Sequence, residues 1–450
     1  MALEVHIGLD DVDSPVGMCT TYVGALLYRE LLDKGLSPLD LPYLVRLNPN
    51  IPFKTRGNGA VSLHFVIPRE KLKWLKQVVA DVLDKYAEHH GKTSPAAVIA
   101  TAVPEQLRRL YVKALTDTVP LRYARDLAED LQAQGLLDVV RFGRGLIGAL
   151  ASIGAFPLPQ YTYELLLYRN PSETGPRPSE YDEILRIDRA TRPLTFANID
   201  FERRRVLALP HGPDPVIAGI RGFDYSLLVD LSRKYTNRWR CELWAVFKTN
   251  QGIGIHLRRY IELRNIRPYQ SVRVMGYLDS NPKIIRGGHV IFKLRWRDFT
   301  VTCAVYKETG SLNRTARLLR KGDLIEVMGG VSPPGKRELT INVEVIRVLK
   351  VQPIVTRIYP PCPRCGKPMT SAGRNKGLKC RKCGFRCQSM TPKEQIEPRI
   401  LEPGLYIQSP RAYRHLSLTA RCLELTGGLG VLSKEAKKLM NKNAALLAGS

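Results

Sequence analysis

Two cysteine pairs, Cys362-Pro-Arg-Cys365 and Cys380-Arg-Lys-Cys383, constrain this 450-residue chain more tightly than any other feature. Two CxxC knuckles at this separation predict four thiolates around one Zn²⁺, in a ribbon too small to build its own core. The nine cysteines are odd in number, which favours a reducing compartment and a metal over a disulfide framework. Cys387 is read as a nearby non-ligand. Arg364, Lys367, Lys379, Arg381 and Lys382 crowd the knuckles, and the whole chain carries a formal charge of +27. Such an excess points to a polyanion, nucleic acid before any other. No apolar run approaches the roughly 20 residues that span a bilayer. Met1-Ala-Leu-Glu-Val-His6 is no signal peptide. A cytoplasmic protein without a membrane partner is therefore expected.

A second stretch carries chemistry. The apolar run Leu3–Leu9 predicts a short strand, and Asp10, Asp11 and Asp13 follow at its end. A turn at Pro15-Val-Gly17 leads into a helical pattern that starts near Thr20. Three carboxylates this close repel one another unless a cation neutralises them, and oxygen-only ligands suit Mg²⁺. The helix start offers backbone N–H groups to a phosphate. The plainer reading is a solvated acidic turn with Thr20 or Thr21 as a helix cap.

The rest of the chain reads as a multidomain α/β and α+β protein. Residues 1–160 alternate strands (Leu3–Leu9, Leu41–Leu47, Val61–Ile67) with helices (Thr20–Lys34, Glu70–His89, Pro104–Leu115, Arg122–Gln134). The loop before the third strand holds Lys54, Arg56, Gly57, Asn58 and Gly59. Its glycines permit φ > 0 and close backbone approach, and its cations suit a phosphate. Gly143, Arg144 and Gly145 open a second glycine-rich stretch, in which Gly148 onward suggests tight helix packing. His90-Gly-Lys-Thr-Ser94 imitates the end of a Walker loop, but Tyr86 stands where its first glycine is needed. Lys92 there remains available to a phosphate. Residues 161–265 predict strands at Tyr161–Tyr168, Val206–Leu209, Val216–Gly222 and Leu243–Thr249, with a helix over Asp224–Lys234. Asn170–Arg192 reads as an exposed polar linker. Residues 266–352 give five strands with one helix, Leu312–Arg320, between the third and fourth. That is the pattern of an OB barrel, with an SH3-like barrel second. Residues 353–450 hold the ribbon and a basic tail, in which Lys434–Lys442 is helical or disordered.

Three long motifs are similar to those of the archaeal tRNA(Ile) 2-agmatinylcytidine synthetase family. They are Asp10-Asp-Val-Asp-Ser with Gly17-Met-Cys-Thr-Thr-Tyr22, Ile51-Pro-Phe-Lys-Thr-Arg-Gly-Asn-Gly-Ala60, and Gly143-Arg-Gly-Leu-Ile-Gly-Ala-Leu-Ala151. Gly219-Ile-Arg-Gly222, Thr249-Asn250 and Gly287-Gly-His289 resemble it too. The resemblance covers nearly the whole chain and implies a kinase-type domain, a ferredoxin-like domain, an OB fold and a zinc ribbon. It implies that ATP drives agmatine onto C2 of the wobble cytidine of a tRNA(Ile) with a CAU anticodon, so that AUA is read as isoleucine. The C2 oxygen is phosphorylated first, and the amine then displaces phosphate. Thr20 matches the family's self-phosphorylated threonine. ATP would lie against Lys54, Arg56, Gly57, Asn58, Gly59, Gly143, Arg144 and Gly145, with Mg²⁺ on Asp10, Asp11 and Asp13. Agmatine, a dication, is assigned to Gly219, Ile220, Arg221, Gly222 and Asp224, although Asp224 serves equally as a helix cap. No obligatory protein partner is expected.

Two other readings compete. A non-catalytic RNA binder accounts for the charge and the zinc, but not for an acidic cluster that repels RNA. A lysine-adding enzyme needs a Ser-Gly-Gly-x-Asp-Ser loop, which is absent.

Overall fold

The computed structural model describes residues 2–14, 17–54, 57–87, 93–173, 175–177, 180–210, 212–334 and 338–426. Arg56, Lys92 and the 434–442 stretch lie outside them. The N-terminal half is built on one mixed sheet of ten strands. Its first strand, Ala2–Asp10, pairs antiparallel with Gly59–Pro68 on one side and Ala96–Ala100 on the other. A strand's side chains alternate between faces. Val5, Ile7 and Leu9 therefore pack under α1 (Thr20–Asp33) and α2 (Leu72–Tyr86). His6, Gly8 and Asp10 fall on the opposite face. There α3 (Glu105–Thr116), α4 (Leu121–Ala133) and α5 (Leu146–Gly154) close a second core.

The helices fall within a few residues of where periodicity puts them. Among the strands not expected are Ala96–Ala100 and Leu137–Arg141. The first is buried on both faces, so it has no alternation to read. A correction is needed at 170–192. That segment is no exposed linker, because it contains α6 (Tyr181–Thr191), whose Ile184 and Ile187 are buried. Its apolar stripe is two isoleucines wide, and the surrounding charges hide it.

The sheet does not stop at residue 160. Leu243–Thr249 joins it parallel to Tyr43–Arg46, through Lys248 opposite Tyr43 and Thr249 opposite Leu44. Thr162–Tyr168, Val216–Gly222 and Thr195–Phe196 continue it, with α7 (Tyr225–Arg238) packed against them.

Residues 271–350 form the expected five-stranded barrel. Its strands are Ser271–Leu278, Val290–Trp296, Phe299–Val305, Leu324–Ser332 and Thr340–Lys350. A parallel pairing of 302–304 with 340–342, and an antiparallel one of Tyr277 and Leu278 with Arg295 and Leu294, close it. The helix α8 (Ser311–Leu318) lies between the third and fourth strands, as in an OB fold. A two-stranded stalk, Ile354–Ile358 with Lys393–Glu397, carries the cysteine ribbon. Arg399 returns the chain to the barrel. It grips Asp323 through both carboxylate oxygens at 3.0 Å and donates to the carbonyls of Leu318 and Gln352.

The residues after the ribbon are more than a basic tail. Gly404–Ile407 adds a strand to the barrel beside 345–348. Residues 408–419 then cross to the N-terminal sheet. Gly252 and Gly254 donate to the carbonyls of His415 and Leu416, and Leu416 is buried in the α3–α5 core.

Two histidines sit deep in the first sheet. His6 and His64 face each other across strands, their Nδ1 atoms 2.9 Å apart, and Phe156 stacks on His64. Burial, with Arg108 near, lowers the His6 pKa to about 4. The unfolded chain binds that proton near 6.5, while the fold refuses it until about 4. This contribution to stability is complete above pH 6.5 and is lost as pH falls toward 4, amounting to about 3 kcal/mol. Urea unfolding from pH 7.5 to 4.5 should show the slope, and His6→Asn should lose His6's share of it. An identical slope in the variant would mean that the fold tolerates a charged His6.

Candidate active site

The acidic motif sits at the point where the first strand ends against α5. Asp10 is on the face that α5 covers, and the approach is close because both surfaces are small. A Cβ on Gly8 would fall 2.1 Å from the Ala149 carbonyl oxygen, and one on Gly148 would fall 1.8 Å from Asp10 Oδ2. The small residues from Gly148 onward are therefore packing residues, and they also form the wall behind a carboxylate. α5 is apolar on all sides and wholly buried from Gly148 to Gly154, so it is held by the core and not by caps.

The chain turns sharply after Asp10. Asp11 takes a left-handed backbone, φ 56°, and its N–H donates to Asp10 Oδ1 at 2.7 Å. Asp11 Oδ2 accepts from the Ser94 N–H and from Arg144 Nη2, each at 3.1 Å. Asp13 Oδ1 accepts from the Thr20 N–H at 3.0 Å, at the start of α1. Thr20 Oγ1 accepts from the Val12 N–H at 3.2 Å. Burial first, then the charge of Asp11 and Asp13, push the Asp10 pKa well above the usual carboxylate range. A cation beside these oxygens would reverse that shift.

Two clefts flank the motif. The first, about 430 Å³, is lined by Asp10, Asp11, Asp13, Lys54, Asn58, Gly59, Arg144 and Gly145, with Phe53, Asp117 and Tyr269 at other walls. It gathers most of the expected nucleotide residues. Gly143 stands just behind, where a Cβ would strike the Ser94 and Pro95 carbonyls. The 57–59 loop departs from expectation in one respect. Its left-handed residue is Asn58, φ 51°, whose side chain donates to the Asn48 carbonyl at 2.8 Å. The two glycines are needed for space instead: a Cβ on either would meet the Arg46 guanidinium within 2.8 Å.

The second cleft, about 280 Å³, shares Asp13 and Gly59 with the first. Thr20, Gly57, Glu164, Asp214, Gly219, Arg221 and His415 also line it. Of the residues assigned to agmatine, Gly219 and Arg221 reach this cleft. Ile220 and Gly222 are buried, and Asp224 caps α7 by accepting from the Leu227 N–H at 2.9 Å. Glu164, Asp214 and His415 were not foreseen. A lone acid inside the apolar strand Thr162–Tyr168 was a signal for Glu164. Nothing local marked His415, which arrives from the far end of the chain.

The cysteine sulfurs of Cys362, Cys365, Cys380 and Cys383 lie within 4.8 Å of one another. Cys362 and Cys383 are 3.6 Å apart and Cys365 and Cys380 3.5 Å. Tetrahedral Zn–S bonds of about 2.3 Å require nearly this spacing. Cys387 stands outside the group.

An acidic double cleft, a closed barrel and a four-cysteine ribbon on one strongly basic chain define a multidomain enzyme acting on nucleic acid. Family models agree in order along the chain: residues 6–75 match the TiaS TCKD domain, 143–256 the TiaS FLD domain and 359–400 the TiaS C-terminal zinc ribbon domain. The chain belongs to the tRNA(Ile) 2-agmatinylcytidine synthetase (TiaS) family, being 47% identical to the member from Thermofilum pendens over 94% of its own length and 96% of the relative's. A solved complex of TiaS with its isoleucine tRNA and ATP superposes with a TM-score of 0.76 at 34% identity, covering 92% of this chain and 96% of that one. A complex of TiaS with the same tRNA, AMPCPP and agmatine gives 0.74 at 32% identity, with the same coverage. Among the described residues no helix is long and apolar enough to cross a membrane.

The tight seat of Asp10 can be tested directly. Gly148→Ala should displace its carboxylate by about an ångström and lower ATP turnover about 10²-fold, with the fold retained by circular dichroism. Turnover at the wild-type rate would remove Asp10 from the site. Purified protein should hold one Zn²⁺ per chain, and Cys383→Ser should release it without lowering the unfolding midpoint of the N-terminal sheet, read by near-ultraviolet spectroscopy.

Proposed function

We propose that this chain joins agmatine to C2 of the wobble cytidine of a CAU-anticodon tRNA(Ile) at the expense of ATP, so that AUA is decoded as isoleucine. The observation that carries the reading is the meeting of two clefts at Asp13 and Gly59. One is furnished for a nucleotide and the other for an amine, and the acidic motif stands between them.

The N-terminal α/β part acts as the kinase-type domain, and the strands and helices of 161–265 as the ferredoxin-like domain. A cytosine C2 oxygen leaves poorly until it is phosphorylated, so phosphoryl transfer must come first. Such transfer is mostly positioning and charge neutralisation. Lys54 and Arg144 stand over the first cleft to stabilise the phosphate oxygens. The all-oxygen donor set suits Mg²⁺, which Asp10 and Asp13 would hold and which neutralises phosphate charge when bound. Arg56 is assigned to the same phosphates from its place in the motif. The target base leaves the anticodon stack to be reached. Phe53, 72% exposed on the 51–59 loop, offers it an aromatic face. Self-phosphorylation at Thr20 would set a phosphate on the N-terminus of α1, a favourable place for an anion.

Agmatine is assigned to the second cleft. Its cationic ends suit Asp13, Glu164 and Asp214, of which Glu164 already faces Arg221 and Arg46. The barrel and the basic ribbon hold the tRNA. The test is mass spectrometry of tRNA(Ile) nucleosides after incubation with ATP and agmatine. The modified cytidine should appear, and Asp10→Asn should abolish it while tRNA binding persists. Modification by Asp10→Asn at the wild-type rate would refute the acidic site. tRNA binding itself should weaken roughly 10³-fold between 50 and 200 mM salt if about six phosphates are contacted.

A further inference from the structure

The C-terminal crossing segment delivers one imidazole to the second cleft, against the glycine loop that reaches both. His415 lines the second cleft, and a Cβ on Gly57 would fall 2.9 Å from its Nε2. Two residues on, Gly59 lines both clefts. An amine in the second cleft must reach this border to attack a base presented from the first.

A relay of hydrogen bonds fixes the imidazole's proton. Glu164 pairs with Arg221 at 3.1 Å and accepts a hydrogen bond from Nε2 of Gln251. That bond turns the Gln251 amide so that Oε1 faces His415 Nδ1 at 2.9 Å. The reverse orientation would set oxygen against carboxylate. An amide oxygen only accepts, so Nδ1 carries the proton and Nε2 keeps its lone pair. Arg221 Nη2 also lies 3.5 Å from Nδ1, at the limit of a hydrogen bond, and the shorter amide contact prevails. No described residue donates to Nε2. Burial, with Arg46, Arg221 and Lys54 around it, keeps the ring neutral.

We propose that His415 Nε2 accepts the proton that the amine sheds when it displaces phosphate from C2 of the cytidine, an inference that rests on the reaction proposed above. In that step the amine lone pair forms the C2–N bond. The C2–O bond breaks, its electron pair leaving on phosphate, and one N–H proton passes to Nε2. The nitrogen becomes strongly acidic as the bond forms, so a weakly basic imidazole suffices.

The test uses the full chain with His415→Asn and His415→Gln. Asn keeps a donor toward Gln251 and removes Nε2. Gln reaches further but cannot take a proton. Single-turnover reactions with tRNA(Ile), ATP and agmatine would follow phosphorylated tRNA and the modified nucleoside separately. Both variants should phosphorylate at the wild-type rate, accumulate phosphorylated tRNA, and form product roughly 10²- to 10⁴-fold more slowly. The deficit should shrink with an agmatine made less basic by fluorine beside its amine, because its adduct loses the proton to water more readily. Wild-type transfer by His415→Asn would overturn the proposal. So would an equal deficit with both amines, or loss of phosphorylation in both variants, which would make His415 a structural residue. Wild-type enzyme that phosphorylates tRNA yet forms no agmatine adduct would instead refute the parent reaction, and this step with it.

Discussion

The acidic motif depends on how closely α5 approaches the end of the first strand. Gly8, Gly145 and Gly148 leave no side chain between them, and a Cβ on any would strike backbone or the Asp10 carboxyl within 2.5 Å. This contact sets Asp10 against a wall. It also brings Arg144 to Asp11, because the turn before the helix is bonded to Ser94 through the Arg144 and Gly145 N–H groups. The polar motif is thus supported by apolar burial. Each fully buried Leu or Ile of α5 contributes about 1.5–3 kcal/mol toward holding three carboxylates that repel one another.

A second constraint is the route of the chain after the ribbon. A segment that could have ended at the barrel instead threads between the barrel and the sheet. Ser417 Oγ donates to buried Glu344 of the barrel at 3.2 Å, while Arg414 reaches Asn50 beside the glycine loop at 3.0 Å. These bonds tie the barrel to the loop that lines both clefts. Just after the stalk, the Arg399–Asp323 pair helps to fasten the chain to the barrel. Asp323 is fully buried, so this ion pair has little solvent screening, and removing either partner would leave a buried charge at a cost of about 3–5 kcal/mol.

Both clefts mix charges of either sign. In the reading proposed above, one cleft takes a polyphosphate and the other a dicationic amine. Lys54 and Arg144 stand in the first cleft beside Asp10, Asp11 and Asp117, while Glu164 and Asp214 stand in the second beside Arg46 and Arg221. Asp13 belongs to both. Arg46 and Arg221 both pair with Glu164 in the second cleft.

The sequence by itself determined the features that are local or strictly spaced. The zinc knuckles, the acidic triad at a strand end, the glycine loops and the five-strand barrel were all legible, because each is fixed by residues close in the chain. The helices of the first module were legible from their period. What the sequence hid had three physical causes. Ala96–Ala100 is buried on both faces and shows no alternation, and α6 displays a two-isoleucine stripe amid charges. The join of the first two modules into one sheet rests on a pairing between residues some 200 apart, 43–44 with 248–249, which no local pattern encodes. The second cleft is assembled from Asp13, Glu164, Asp214 and His415, four separate parts of the chain. Only the tertiary structure could bring His415 beside Gly57, and only the Glu164–Gln251 bond decides which nitrogen of its ring keeps the lone pair.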